Sequence, residues 1–286
     1  MKTIKIFVTC LILLLSANVF SYAKKPVKAL IVTGQNNHNW EVNSLVLQKY
    51  LNESGIFTAD LAISPKRGED MSSFRPDFSA YKVIVLDYNG EAWCDDVNKA
   101  FLEYVKKGGG VVVYHAANNS FSNWKEYNEI IGLGGWGNRN ETDGPYVYFK
   151  DGKEVRDTSP GPGGSHGSQH EYTIVVRDKK HPITKDLPES WMHSKDELYD
   201  RLRGPAKNLT VLATAYSAKE TGGTGRDEPA LMAITWGKGR IFHTVLGDNI
   251  RSTVEGGSFA VTFLRGTEWA ATGKVTQKVP DGFPRK

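Results

Sequence analysis

Histidines, carboxylates and amides gather in a few short stretches of this 286-residue chain. The densest runs Gly164-Ser165-His166-Gly167-Ser168-Gln169-His170-Glu171, followed by His193 and by Asp196-Glu197-Leu198-Tyr199-Asp200-Arg201. Neutral imidazole beside carboxylate is a ligand set suited to zinc, manganese or iron, and equally an acid/base set for proton transfer. His166 and His170 stand four apart, a spacing that would put them on one helix face, but Gly163, Gly164 and Gly167 argue for a loop. The spacing also matches none of the standard zinc patterns. Cys94 precedes a helix pattern and has no histidine next to it, so it reads as a packed thiol rather than a nucleophile. Gly222-Gly223-Thr224-Gly225 lacks the Lys-Ser/Thr of a phosphate loop and is expected to be a mobile loop bringing Arg226, Asp227 and Glu228 toward a site.

These groups need a frame. Lys28–Thr33 is a continuous apolar run ending in Gly34, as in a parallel strand buried on both faces. Trp40, Val42, Leu45, Val46, Tyr50 and Leu51 then recur at helical intervals up to Gly55. Strands are predicted at Ile56–Ile63, Lys82–Leu86 and Gly108–His115, with a second helix over Asp95–Lys107. Strand, helix, strand at this spacing implies right-handed crossovers and a doubly wound α/β sheet, mostly parallel. Gly132–Gly167 is rich in Gly, Pro, Asn and Asp and reads as a long Gly-rich insertion with one short apolar stretch, Tyr146–Phe149. Further strands are expected at Tyr172–Val176, Thr210–Ala215, Ala230–Thr235 and Arg240–Val245, the last two joined by a Gly237-Lys238-Gly239 turn. A closing helix spans about Ser258–Ala271. In such a sheet ligands gather at the carboxyl ends of the strands. Those ends carry Asn36-Asn37-His38-Asn39-Trp40, Asp87-Tyr88-Asn89 and His115-Ala116-Ala117-Asn118-Asn119, so three polar ends converge on one pocket.

Composition narrows the function classes. The chain is 40% apolar and 24% charged, which suits a globular domain and excludes disorder, collagen and coiled coil. Its two cysteines are too few for a disulfide framework. Residues 1–23 read as a secretory signal, with Lys2 and Lys5, an apolar run over Ile6–Leu15 and the small-x-small site Ser21-Tyr22-Ala23. The run is short of the roughly 20 residues a stable membrane span needs. The mature protein is therefore expected in the periplasm or outside the cell. Cleavage lowers the formal charge from +4 to +2, with no basic run, so no nucleic-acid partner is expected. One α/β domain over 24–275 and a loose tail over 276–286 account for the rest.

The segments GGGVVVYHAANN, GSHGSQHEY, HPITKDLPESW, HSKDELYDRLRGP, GTGRDEPALM and WGKGRIFHTVLGDN, in that order, resemble the ThuA-like (trehalose utilisation) family. The resemblance covers about Val27–Ala271 and implies a fold like class I glutamine amidotransferases, and so flavodoxin-like, without their cysteine nucleophile. It also implies a carbohydrate partner, a sugar or 3-keto sugar, acted on without a covalent cysteine. Carried over residue by residue, it marks His38, His115, His166, His170, Glu171, His193, Asp196, Glu197, Tyr199 and Glu228. This chain departs from the family at Leu246-Gly247-Asp248, commonly LGH, and at Gly225-Arg226-Asp227-Glu228-Pro229, commonly GRHEP.

On this reading His170 or Glu171 is the general base and His115 the acid or electrophile. His38, Trp40, Asn118, Trp136, Asp196, Glu197, Tyr199, Arg201 and Glu228 are expected to bind substrate, with Trp124 as a further aromatic platform. His166, His170, His193 and Asp248 are the candidate ligands for a divalent metal, Zn, Mn or Fe. The expected chemistry is elimination, isomerisation or hydrolysis; the alternative is a carbohydrate-binding or scaffolding protein with the same pocket.

Overall fold

The computed structural model describes residues 25–255 and 257–284, so the expected signal segment lies outside the described residues. The first apolar run forms β1 (Val27–Thr33), buried from Ala29 onward. Helix α1 (Trp40–Glu53) returns the chain to β2 (Phe57–Ile63) and buries Leu47 and Leu51, one turn apart. Strand β3 (Val83–Leu86) is followed by α2 (Asp95–Lys106), which buries Val97, Phe101 and Val105 at the same four-residue spacing. Strand β4 (Gly110–Tyr114) completes a parallel block in the order β2-β1-β3-β4. The order reverses between β1 and β3, and loops leaving a sheet at such a point diverge and open a crevice at its carboxyl edge.

After α3 (Lys125–Ile131) comes the expected loop region, which contains a hairpin of β5 (Tyr146–Lys150) and β6 (Lys153–Asp157) and the two-residue β7 (Ser165–His166). The chain continues through β8 (His170–Val176), β9 (Ser190–Asp196), β10 (Tyr199–Asp200), β11 (Leu209–Ser217), β12 (Arg226–Trp236) and β13 (Gly239–Thr244), and closes with α4 (Ile250–Val254) and α5 (Ser258–Thr272). Strand β13 adds in parallel to β4, and β12, β11, β8 and β9 then extend the sheet antiparallel. The result is a mixed, mostly parallel α/β sheet with flanking helices. Helices α1, α4 and α5 touch one another in one layer, while α2 packs on β13 and α3 on β12 and β13. Every residue of β3 and β4 is buried, as a sheet covered on both faces requires.

Two expectations change. Strand β9 hides in the sequence because its inward positions hold Trp191, His193 and Asp196, so the apolar/polar alternation that marks a half-buried strand is missing. Residues 276–284 are tied down: Glu268 accepts hydrogen bonds from the backbone N–H of Thr276 and Gln277, Arg265 donates to the Gln277 carbonyl, and Phe283 packs on Trp191. Among the described residues no helix is long and apolar enough to cross a membrane.

Candidate functional site

Four strand ends build the site. The Asp87 carboxyl, buried at the end of β3, accepts from the Asn36 amide at 2.9 Å, and the Asn36 side-chain oxygen accepts from the His38 backbone N–H at 3.1 Å. That relay fixes His38 beyond β1. His115 leaves β4 with φ of 43°, in the left-handed region that a non-glycine residue adopts only when its surroundings impose it. Its ring is 1% exposed, and Nδ1 lies 2.5 Å from the Val245 carbonyl. A carbonyl only accepts, so Nδ1 carries the proton and Nε2 presents its lone pair. That Nε2 is buried without a hydrogen-bond partner. Burial, with the nearby His38 adding to it, pushes the His115 pKa down to about 4, so the ring is neutral.

Asp248 follows β13. Its turn is shaped by Gly247, at φ of +97°, and is gripped from below by Asp196. Asp196 Oδ2 accepts from Gly247 N at 2.7 Å and Oδ1 from Asp248 N at 3.0 Å. Asp248 Oδ2 in turn accepts from Gln169 at 2.5 Å and Asn249 at 2.8 Å, which leaves Oδ1 turned toward His38 Nδ1 at 2.7 Å and His115 Nε2 at 3.9 Å. Glu197 completes the group: its Oε2 lies 3.9 Å from His115 Nε2 and 3.8 Å from His166 Nε2. One ligand-type atom from each of His38, His115, Glu197 and Asp248 lies within 4.8 Å of the others.

The two carboxyls differ. Burial raises the Glu197 pKa, and the like charge of Asp248 adds to the effect. Burial pushes Asp248 up as well, but hydrogen bonds from His38 and Asn249 outweigh it and hold Asp248 below the usual carboxylate range. Paired acids pushed apart in this way are suited to different tasks, one to exchange a proton and one to remain charged.

Above this group lies a pocket of about 400 Å³ lined by Asn37, His38, Asn89, Asn119, Trp136, Gly137, His166, Glu197 and Tyr199. Trp136, at φ of 52°, sits edge to face on Tyr199 with ring centres 4.7 Å apart, and Tyr199 lies 4.1 Å from the His115 ring. The Tyr199 hydroxyl is 3.2 Å from His38 Nε2. Asn119 Oδ1 is, like His115 Nε2, a buried acceptor without a partner.

Of the residues singled out from sequence, His38, His115, Trp136, His166, Glu197, Tyr199 and Asp248 therefore converge. The others are placed elsewhere. His193 is fully buried with Nε2 on Asp196 at 2.8 Å and Nδ1 on Ser258 at 2.7 Å, so neither nitrogen is free for a metal, and Asp196 is a brace rather than a substrate contact. His170 turns Nδ1 to the Ser168 carbonyl at 2.8 Å, and Glu171 is exposed on β8; neither lines the pocket, and neither belongs to the ligand-type group. Asn118 is buried against His243, with Asn119 in the pocket instead. Trp40 opens α1 outside the pocket, and Trp124 packs among Trp93, Phe101, Phe121 and Tyr127. Arg201 lines a separate pocket with Tyr146 and Arg226, and Glu228 is buried beneath it, accepting from Thr224 at 2.8 Å. Asn37, Asn89 and Asn119 carry no mark of their own in the sequence, although each belongs to a polar run that ends a parallel strand.

Comparison with known proteins follows the same outline. The ThuA family model, described as trehalose utilisation, matches residues 28–270. A crystal structure of a ThuA-like protein from Parabacteroides merdae is similar at 58% identity and a TM-score of 0.87, covering 91% of this chain and 95% of that one. A ThuA-like protein from Bacteroides uniformis shares the fold at 20% identity and a TM-score of 0.59, covering 89% of this chain and 95% of its own. No curated protein matches the chain.

Proposed function

Because the chain belongs to the ThuA (trehalose utilisation) family, we propose that the pocket over His115 takes a sugar or 3-keto sugar and that the protein is an enzyme moving protons on it. One observation carries this reading: a half-buried Glu197 whose pKa is raised stands at the floor of a pocket whose walls are amides, imidazoles and one half-buried indole. Amides and imidazoles match hydroxyl groups that both donate and accept, while an aromatic ring suits the C–H face of a pyranose. The pocket volume falls within the range of small-molecule sites.

A ketone at C3 acidifies the neighbouring C–H. Glu197 is the group best suited to take that proton, since a base works best when its pKa approaches the working pH and such a base supplies about 10²–10⁴-fold in rate. The Asn37, Asn89 and Asn119 side chains supply hydrogen bonds for the sugar hydroxyls, and the orphaned Asn119 Oδ1 is an acceptor for one of them. His115 has no proton on Nε2, the nitrogen turned toward Glu197 and Asp248, so the acid or electrophile role expected for it does not fit, and with its pKa near 4 it is a weak base. Loss of the enolate's neighbouring C–O bond, with the proton taken by Glu197 passing to the departing oxygen, would give elimination; return of the proton on the other face or carbon would give epimerisation or isomerisation.

Incubating the pure protein with native and 3-keto disaccharides and analysing the products by chromatography and mass spectrometry tests the reading. A new product from the keto sugar supports it. Saturable binding with no product makes the protein a carbohydrate binder, and neither binding nor product removes carbohydrate from the account. Export rests on the N-terminal charge, apolar run and small-x-small site; an intact mass beginning at Lys24 in protein recovered from cells is the expected result, and an uncleaved cytoplasmic chain would refute it.

A further inference from the structure

We infer that His38, His115, Glu197 and Asp248 form a binding site for one first-row divalent cation. The donor set is two imidazoles and two carboxylates on loops after β1, β4, β9 and β13, a mixed nitrogen and oxygen set that suits Zn²⁺, Mn²⁺, Fe²⁺ or Co²⁺ better than the all-oxygen preference of Mg²⁺. The spacing fits. Bonds of about 2.0–2.1 Å put tetrahedral ligands about 3.3 Å apart; here His38 Nδ1 and Asp248 Oδ1 are 2.7 Å apart, and His115 Nε2 is 3.9 Å from both Asp248 Oδ1 and Glu197 Oε2. The group as a whole spans up to 4.8 Å, so closing it around one ion brings the widest pair together by about 1.5 Å.

A second observation points to the same occupant. His115 Nε2 is a lone pair in the protein interior, aimed at the two carboxylates, with nothing among the described residues to satisfy it. Carboxylates are acceptors too, so a hydrogen bond cannot fill the gap between them unless a proton is added. A cation satisfies all the acceptors at once. The surroundings resemble those of metal-binding imidazoles and carboxylates, whose far atoms are fixed by outer hydrogen bonds. His115 Nδ1 is held by the Val245 carbonyl, and Asp248 Oδ2 by Gln169 and Asn249, so the free atom of each faces inward. For the ion to enter, the proton that His38 Nδ1 directs at Asp248 must leave that nitrogen, which the neutral imidazole allows by carrying it on Nε2 instead. Once bound, the ion would supply a Lewis acid at the pocket floor.

The test contains no sugar, so its failure leaves the catalytic proposal standing; a bound ion engages Glu197, so the proton-accepting role proposed for that carboxyl belongs to the metal-free protein. The full chain is stripped with chelator, offered Zn²⁺, Co²⁺, Mn²⁺ or Mg²⁺ separately, desalted, and assayed for metal by mass spectrometry, with the visible spectrum of the Co²⁺ form recorded. One equivalent of Zn²⁺ or Co²⁺ per chain is expected. His38→Ala, Asp248→Asn and Glu197→Gln should each weaken binding by more than the about 10–100-fold that loss of an outer partner costs, and abolish the Co²⁺ spectrum. His170→Ala should retain full metal content. Far-UV circular dichroism of each stripped variant identifies any that misfold, and Asp248→Asn, which keeps the side-chain shape, serves if His38→Ala does. Less than a tenth of an equivalent in the wild type, uptake of Mg²⁺ alone, or retention of the metal in all three folded variants would overturn the assignment.

Discussion

At the scale of single residues, the site turns on which polar atoms already have partners. His193 and His166 look equivalent in the sequence, yet one is locked between Asp196 and Ser258 and the other opens onto the pocket. Residue type announces both; only hydrogen bonding separates them. The same holds for Glu171 and Glu197. Glu197→Gln should lower turnover about 10²–10⁴-fold with sugar affinity changed little, because the amide keeps the shape but cannot take a proton. Glu171→Gln, exposed on β8, should keep wild-type rates; kcat and KM on both variants check the pair. Trp136→Ala should instead raise KM, since an indole face contributes contact rather than chemistry. Away from the pocket, burial pushes the Glu228 carboxyl up to about 7, with Asp200 adding to the effect. The folded chain therefore holds a proton that the unfolded chain releases near its ordinary pKa of 4.5. The stability this contributes is complete below pH 4.5 and is lost as the pH rises through 7. Glu228→Gln removes the dependence. Thermal melts should show the variant gaining on the wild type between pH 5 and pH 8, with a slope of at most about 1.4 kcal/mol for each pH unit climbed. His115 and His243, both pushed down to about 4, act in the opposite direction in both proteins and cancel in the difference.

At the scale of elements, the central parallel strands β1, β3 and β4 are readable because each is a short apolar run closed by polar residues, and the site lies at the carboxyl ends of the parallel strands. The antiparallel half is less so. In β9 the inward positions carry His193 and Asp196, whose burial makes sense only once the Gly247–Asp248 turn lies against them. That turn is the element on which the site depends most. A side chain on Gly247 would stand 2.7 Å from Tyr114 and 2.9 Å from Phe259, at a φ that already disfavours one. Gly247→Ala should cost about 2 kcal/mol or more and displace Asp248. Denaturant melts measure the first effect, and the second shows as metal affinity reduced along with stability. Asp196→Ala should cost on the order of 3 kcal/mol, because the N–H groups of Gly247, Asp248 and Glu197 lose a buried acceptor together.

At the scale of the whole molecule, the doubly wound plan is legible as a pattern of strand, helix and strand. The hairpin within the Gly-rich region is not, since β5 and β6 are short and β5 meets the sheet through one pairing, Phe149 with Asp227. Nor can sequence order reveal that residues beyond β13, about 200 positions after His38, close the pocket from the far side; only the placement of β13 next to β4 does so. The fold thus gathers a carboxyl of raised pKa, two imidazoles and an aromatic wall at one edge. The most direct test of this account is solvent deuterium exchange on a 3-keto disaccharide, followed by proton NMR in D₂O. The wild-type protein is predicted to wash out the hydrogen on the carbon next to the ketone far faster than buffer alone, and Glu197→Gln to reduce that rate about 10²-fold or more. Exchange no faster than buffer, or equally fast in the Gln variant, would contradict it.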